Sequence, residues 1–216
     1  MKLDRHEEIP DLREHWSRLF ALADGRVQHR FGYVEPYQFD RLNAIVDWVA
    51  TLHPGRVLEV GCLEGMMTER LAQVAESVVA VDFIPGFMDT AVSLPNVRYE
   101  LHDVEEWTPT LHFDVVVMSE VLEHLRDPMG ALRRLTSKSW RVIASSPINE
   151  ELTDRTWSTD IDTSVPNPFA GKAIGETAGH VWAMDLAGFT SWFEAAGLTI
   201  ERTEIHFPSA FVQARR

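Results

Sequence analysis

Three apolar runs of this chain lead to acidic residues, and the first opens directly into a glycine turn. Arg56-Val57-Leu58-Glu59-Val60 continues as Gly61-Cys62-Leu63-Glu64-Gly65, Val78-Val79-Ala80-Val81 ends in Asp82, and Val97 to Leu101 is followed by His102-Asp103. This is how a doubly wound α/β protein builds a nucleoside pocket at the carboxyl ends of its strands. A fourth run, Phe113 to Met118, leads into Ser119-Glu120-Val121-Leu122-Glu123-His124. Two carboxylates and an imidazole directly after a strand suit proton transfer. His124 is the candidate base, with Glu120 and Glu123 beside it, because an unperturbed imidazole titrates near neutrality. The alternative for His124 is a structural hydrogen-bonding residue at the head of a helix.

The elements that would position these groups follow from periodicity. Leu12, Trp16, Leu19, Phe20 and Ala23 recur at helical spacing, and Leu42, Ile45, Val46, Val49 and Leu52 mark a second amphipathic helix that stops before Pro54-Gly55. A helix opening at Glu64 carries Met67, Leu71 and Val74, and a short helix follows Pro85. Phe113 to Met118 reads as a central strand, apolar on both faces as parallel strands are. Asp127-Pro128 predicts an N-cap and first-turn proline for a helix carrying Leu132 and Leu135, and Trp140 to Ala144 a fifth strand. Asp185 caps a last helix, closed by Gly197, before an antiparallel pair at Leu198 to Phe207 and Ala210 to Ala214. Strands alternating with helices imply a mostly parallel sheet with right-handed crossovers.

Between Pro147 and Val181 the chain is rich in Thr, Asp, Asn, Pro and Gly, without sustained period. A stretch of this length inside a compact domain is usually functional or disordered. The segmentation is one domain over 1–216: an N-terminal helical cap at 1–53, a cofactor-binding core at 56–145, a substrate-side insertion at 147–181, and a C-terminal helix and hairpin at 185–216.

The glycine turn discriminates among cofactors. A nicotinamide site needs G-x-G-x-x-G so that a pyrophosphate can approach backbone at a helix N-terminus. Here Leu63 and Met66 stand at the second and third glycine positions, and Glu64 would repel the dianion. S-adenosylmethionine (SAM), with a sulfonium cation and a zwitterionic tail, fits an acid-rich pocket better.

Glu59-Val-Gly61-Cys-Leu-Glu-Gly65 resembles the first motif of class I SAM-dependent methyltransferases, usually E/D-x-G-x-G-x-G, with Leu63 in place of the middle glycine. Asp82, Asp103-Val104 and the run Phe113 to Pro128 are similar to that family's later motifs, in order, over roughly residues 36–145. The resemblance implies an α/β, Rossmann-like, doubly wound fold: a mostly parallel seven-stranded sheet with an antiparallel C-terminal hairpin and helices on both faces. It also implies a cofactor-binding set of Glu59, Gly61, Gly65, Asp82, Phe83, Asp103, Val104 and Ser119. In that set Gly61 and Gly65 admit the methionyl portion, and Asp82 accepts from the ribose diol. Phe83 covers an adenine face, Asp103 accepts from the adenine amine with Val104 beside the ring, and Ser119 lies near the sulfonium and amino group. The product would be S-adenosylhomocysteine (SAH).

Tyr33, Tyr37, Asn149, His180 and Trp182 are the candidate acceptor contacts, from the cap and the insertion. Glu120, Glu123, His124 and His180 also resemble the metal site of small-RNA 3′-end 2′-O-methyltransferases, although E-x-x-E-H-L equally resembles many metal-free enzymes. The preferred reading has no metal. A net charge of −13 with no Lys/Arg block argues against partners held through phosphates. A small-molecule acceptor methylated at N or O is therefore expected, with natural-product or sugar metabolism as the candidate setting. The alternatives are a metal-dependent RNA 2′-O-methyltransferase and a non-catalytic SAM-binding protein. Cys62 is the sole cysteine, and the charged start Met1-Lys2-Leu3-Asp4-Arg5 has no signal-peptide core behind it. No apolar run is long enough to cross a bilayer, so a cytoplasmic protein is expected. The sequence specifies no oligomeric state.

Overall fold

The computed structural model describes residues 36–83, 85–148, 182, 184–206 and 209–216. The helix predicted at Leu12 to Ala23 and nearly all of the insertion lie outside the described residues, as do Tyr33, Asn149 and His180. Tyr37 is described through its backbone alone.

Seven strands are present among the described residues: β1 (Arg56–Val60), β2 (Ser77–Asp82), β3 (Val97–Leu101), β4 (Phe113–Ser119), β5 (Ser139–Pro147), β6 (Thr199–His206) and β7 (Ser209–Arg215). The helices are α1 (Pro36–Thr51), α2 (Met66–Val74), α3 (Pro85–Met88), α4 (Pro128–Thr136) and α5 (Leu186–Ala195), with a single 3₁₀ turn at Leu122–His124. The strands form one sheet in the order β3-β2-β1-β4-β5-β7-β6. The first five are mutually parallel, while β7 runs antiparallel to both β5 and β6. The predicted Rossmann-like sheet with an antiparallel end is what forms.

Alternation along the strands sorts the core into two layers. Val57, Val78, Ala80, Val115 and Val117 face α1 and α2, meeting Ile45, Val49, Met67 and Leu71. Leu58, Val60, Val79, Val81, Val116 and Met118 face the other way, onto Leu132 and Leu135 of α4 and Phe189 and Phe193 of α5. Both faces of β1 and β4 are therefore covered, which is why their sequences are almost uninterrupted apolar runs.

Helix ends follow local chemistry. The Asp127 carboxylate accepts from the Gly130 N–H at 2.8 Å, with Pro128 at the first helical position. Asp185 does the same for the Gly188 N–H at 2.7 Å. Gly197, at φ 83°, ends α5 with its own N–H bonded to the Glu194 carbonyl and the Leu198 N–H to that of Phe193. That pairing satisfies two of the carbonyls a helix end leaves over.

Two of the boundaries that differ from the sequence expectation have a clear physical cause. Strand β5 continues past Ala144 to Pro147 because β7 pairs with it from Arg141↔Arg215 to Pro147↔Ser209. Helix α2 begins at Met66 rather than Glu64, because Leu63 and Gly65 both have positive φ (48° and 85°), which no helical turn accepts. Glu64 thus belongs to the turn, and the acidic residue in the first turn of α2 is Glu69.

Candidate active site

The sheet reverses strand order between β1 and β4, since the chain builds outward from β1 to β3 and then returns to place β4 on the other side. In open α/β sheets the crevice beyond the carboxyl ends at such a switch point is the ligand site. The Gly61–Gly65 turn forms one wall of that crevice and the Ser119–His124 segment the other. They touch closely: a Cβ on Gly61 would come within 2.6 Å of Val121 Cγ2. On Gly65 it would come within 2.6 Å of the Tyr99 hydroxyl.

Gly61, Leu63 and Gly65, the three glycine positions of the usual motif, all have positive φ (73°, 48° and 85°). Glycine reaches this region without Cβ strain, whereas a leucine there costs about 1–2 kcal/mol. Leu63 is 46% exposed, so its side chain projects out of the turn and fills no core position. Its backbone N–H donates to Asp82 Oδ2 at 3.0 Å, and the Gly61 and Cys62 N–H groups bond to the Val81 carbonyl at 2.8 and 3.1 Å. The end of β2 therefore anchors the whole turn. Leu63→Gly is expected to raise stability modestly: relief of the left-handed side chain is offset by only ~0.4–1 kcal/mol of added unfolded-chain freedom. A melting temperature at or below that of the parent would show that Leu63 is held by favourable contacts.

Two carboxyls sit beneath this turn, Glu59 at 1% and Asp82 at 4% exposure. Burial pushes the Glu59 carboxyl up to about 8; the Thr68 hydroxyl opposes this and the neighbouring Asp82 charge adds to it. Burial, reinforced by Glu59 and Asp82, also raises the Cys62 thiol far above its ordinary range, so Cys62 is an inert core thiol. Phe83 lies next to Asp82 and is 36% exposed. At the end of β3, Asp103 Oδ1 accepts from the Glu105 N–H at 3.0 Å, closing a turn. Val104, expected beside an adenine ring, packs into the core with Val60, Val79 and Val81.

The β4 wall is a polar network. Glu120, at φ 55°, has its carboxylate enclosed: Arg41 Nη1 lies 3.0 Å from Oε2, and Ser145 Oγ donates to Oε1 at 2.8 Å. Ser209 Oγ donates to Oε2 at 3.4 Å, and Ser119 Oγ lies 3.1 Å from Ser145 Oγ. Glu123 is 1% exposed, and burial next to Glu120 holds its carboxyl well above the usual range. His124 Nε2 is 3.9 Å from Glu123 Oε1, with a side chain 22% exposed. The sequence groups Trp182 with acceptor contacts; the structure packs it into the core. Its indole N–H donates to the Leu125 carbonyl at 2.8 Å and its backbone N–H to the Glu123 carbonyl at 3.2 Å, so it clamps the turn that carries His124.

Among the described residues no group of three or more His, Cys, Asp or Glu side chains is placed to hold a metal ion. No described helix is long and apolar enough to cross a membrane. Sequence reasoning brought together Glu59, Gly61, Gly65, Asp82, Ser119, Glu120, Glu123 and His124 at one end of the sheet. It missed Arg41, whose only sequence signal is a cation on the polar face of an amphipathic helix.

Residues 32–203 match the methyltransferase-domain family. The chain belongs to this family. It is 33% identical over 118 residues to the ubiquinone biosynthesis O-methyltransferase of Xanthomonas oryzae pv. oryzae, an alignment taking in 51% of this chain and 47% of the relative. The chain thus spans about half the length of the first curated relatives it matches. The N-methyltransferase NodS from Bradyrhizobium japonicum, in complex with SAH, has the same fold, with a TM-score of 0.67 at 17% identity over 95% of this chain and 98% of that one. So has the magnesium protoporphyrin IX methyltransferase ChlM from Synechocystis PCC 6803 with bound SAM, with a TM-score of 0.65 at 16% identity over 97% of this chain and 99% of that one.

Proposed function

We propose that this methyltransferase transfers a methyl group from SAM to a nitrogen or oxygen of a small-molecule acceptor. The observation that carries the reading is the Gly61–Gly65 turn, held in left-handed backbone and tied to Asp82 at the switch point of the sheet. The names of the relatives support a small acceptor, since the Xanthomonas enzyme is a ubiquinone biosynthesis O-methyltransferase and NodS an N-methyltransferase.

When bound, SAM supplies an electrophilic methyl on a sulfonium. The chain's own task is to hold the acceptor in line with that methyl and to receive the proton it loses. His124 is assigned the proton, with Glu123 beside it and Glu120 fixing the preceding backbone. Glu59, Gly61 and Gly65 are assigned the methionyl portion, Asp82 the ribose diol, Phe83 an adenine face, and Asp103 the adenine amine. Val104 backs the adenine end from within the core. Tyr33, Tyr37, Asn149, His180 and Trp182 are assigned to the acceptor side, Trp182 acting through its hold on the 122–125 turn.

Asp82→Ala is expected to weaken SAM binding by about 1–3 kcal/mol, the scale of a lost charged hydrogen-bond partner. The Leu63 N–H loses its acceptor as well, so part of the loss is a looser turn. Calorimetric titration of the parent with SAM and with NAD tests the cofactor; tighter binding of NAD would overturn it. The metal-dependent RNA reading is tested by adding a chelator. Activity that survives removes that reading, and loss on both chelation and His180→Ala would favour it over ours.

A further inference from the structure

Charge is unevenly spread along this acidic chain. From Pro128 to Ile148, and again from Ile205 to Arg216, there is no Asp or Glu, although the net charge is −13. The same two segments carry Arg133, Arg134, Lys138, Arg141, Arg215 and Arg216. Asp127 lies 3.7 Å from Arg134, and Glu201 lies 3.1 and 3.3 Å from Arg141 and Arg215. Arg133, Lys138 and Arg216 have no ion pair among the described residues. These three flank the passage from α4 into β5, at the end of the sheet away from the crevice. Trp140 stands there 70% exposed, more than any other large apolar side chain among the described residues. It shares a strand face with Val142 and Ala144, which pack toward α4 and α5. Arg216, opposite it on β7, donates its N–H to the Trp140 carbonyl at 3.2 Å. The Arg216 guanidinium donates to the Ser137 and Thr136 carbonyls at 3.0 and 3.5 Å, and that of Arg133 to the Ala195 carbonyl at 2.7 Å. The carbonyl ends of α4 and α5 are thus covered, and the charge presented outward is positive.

We propose that this end of the sheet is a docking site for a short acidic segment of another protein. Its carboxylates meet Arg133, Lys138 and Arg216, and an apolar side chain between them seats on the Trp140 indole. Tryptophan and arginine are the residues that most often dominate binding energy at protein interfaces. The two guanidiniums are already held by helix carbonyls, so docking costs less side-chain freedom than it would with loose cations. Charge selects the occupant. Exposed charges farther apart than about 8 Å are screened at physiological salt, so a short acidic segment responds to this end alone. A phosphate polymer would run on over the acidic remainder of the chain. A bilayer needs more apolar surface than one indole supplies. A second copy docked about a twofold axis would set like cations against one another.

The test is fluorescence anisotropy of the full chain with a labelled nonapeptide, one leucine flanked on each side by four glutamates. A peptide with lysines in place of the glutamates is the control. The acidic peptide should bind saturably at low salt and weaken as salt rises, and the lysine peptide should not bind. Trp140→Ala is expected to weaken binding about tenfold, the scale of a hot-spot residue. Lys138→Glu should weaken it about fivefold and flatten its dependence on salt. Both positions lie at the far end of the sheet from the Gly61–Gly65 turn, so both variants should keep the parent's affinity for SAH, which shows that they fold. No saturable binding of the acidic peptide, equal binding of the lysine peptide, or unchanged binding by Trp140→Ala would overturn the proposal. So would Trp140-dependent binding to phosphatidylglycerol vesicles without peptide binding, which would make the site a lipid contact. Self-association of the parent that Trp140→Ala abolishes, read by sedimentation velocity, would overturn it in favour of a second copy.

Discussion

His124→Ala is expected to lower turnover by about 10²–10⁴-fold, the range supplied by a positioned general base, with SAM affinity nearly unchanged. His124 follows the last buried turn of the β4 wall, and its side chain is partly open to solvent at 22% exposure. Its imidazole is beside a Glu123 carboxyl held in a dry pocket, and the Trp182 clamp on the Glu123 and Leu125 carbonyls limits how far the turn can move. Removing the ring leaves the Gly61–Gly65 turn, Asp82 and Asp103 in place, so donor binding should persist. Steady-state turnover with radiolabelled SAM, paired with calorimetry, reads both quantities. Partial rescue of His124→Ala by added imidazole would be a signature that a structural role does not produce. Abolished SAM binding, or a turnover loss under threefold, would show that His124 is not the base.

The division between what was legible in the chain and what was not follows interaction range. β1, β2 and β4 are buried on both faces, so their apolar runs and acidic ends stand out without tertiary information. The caps at Asp127 and Asp185 and the Gly197 stop are local chemistry and formed as read. The extent of β5 was not legible, because it is set by a partner strand more than 60 residues away, as in the pairing of Ser145 with Phe211. The start of α2 was misplaced because left-handed backbone at a leucine has no signature in residue type; only its place in a glycine motif suggests it. Val104 and Trp182 show the same limit in the site. Each lies near the motifs in sequence or space, yet its side chain is turned into the core. Arg41 was invisible for the opposite reason: it reaches the site from α1 and is paired with a residue 79 positions later, Glu120.

Glu59 carries a large expected effect of pH. Its carboxyl is buried beneath the donor turn, and burial lifts it from an ordinary 4.5 to about 8. An acid raised on folding binds its proton more tightly in the native state than in the unfolded chain. Its contribution to stability is fully present below about pH 4.5, falls as pH rises through the interval up to about 8, and is lost above it. Within the interval the slope approaches about 1.4 kcal/mol per pH unit. Glu59→Gln removes this slope. Between pH 5 and pH 7.5 the parent should lose on the order of 3 kcal/mol relative to the variant in denaturant titrations without ligand. The same argument reaches function. If Glu59 faces the methionyl portion, a bound cation stabilises its carboxylate, and SAM binding near pH 7 releases a proton. Calorimetry in buffers of different ionisation enthalpy should register close to one proton released per SAM for the parent, and far less for Glu59→Gln. Equal proton release by both proteins would place Glu59 outside the donor's reach and leave it as a structural acid of the core.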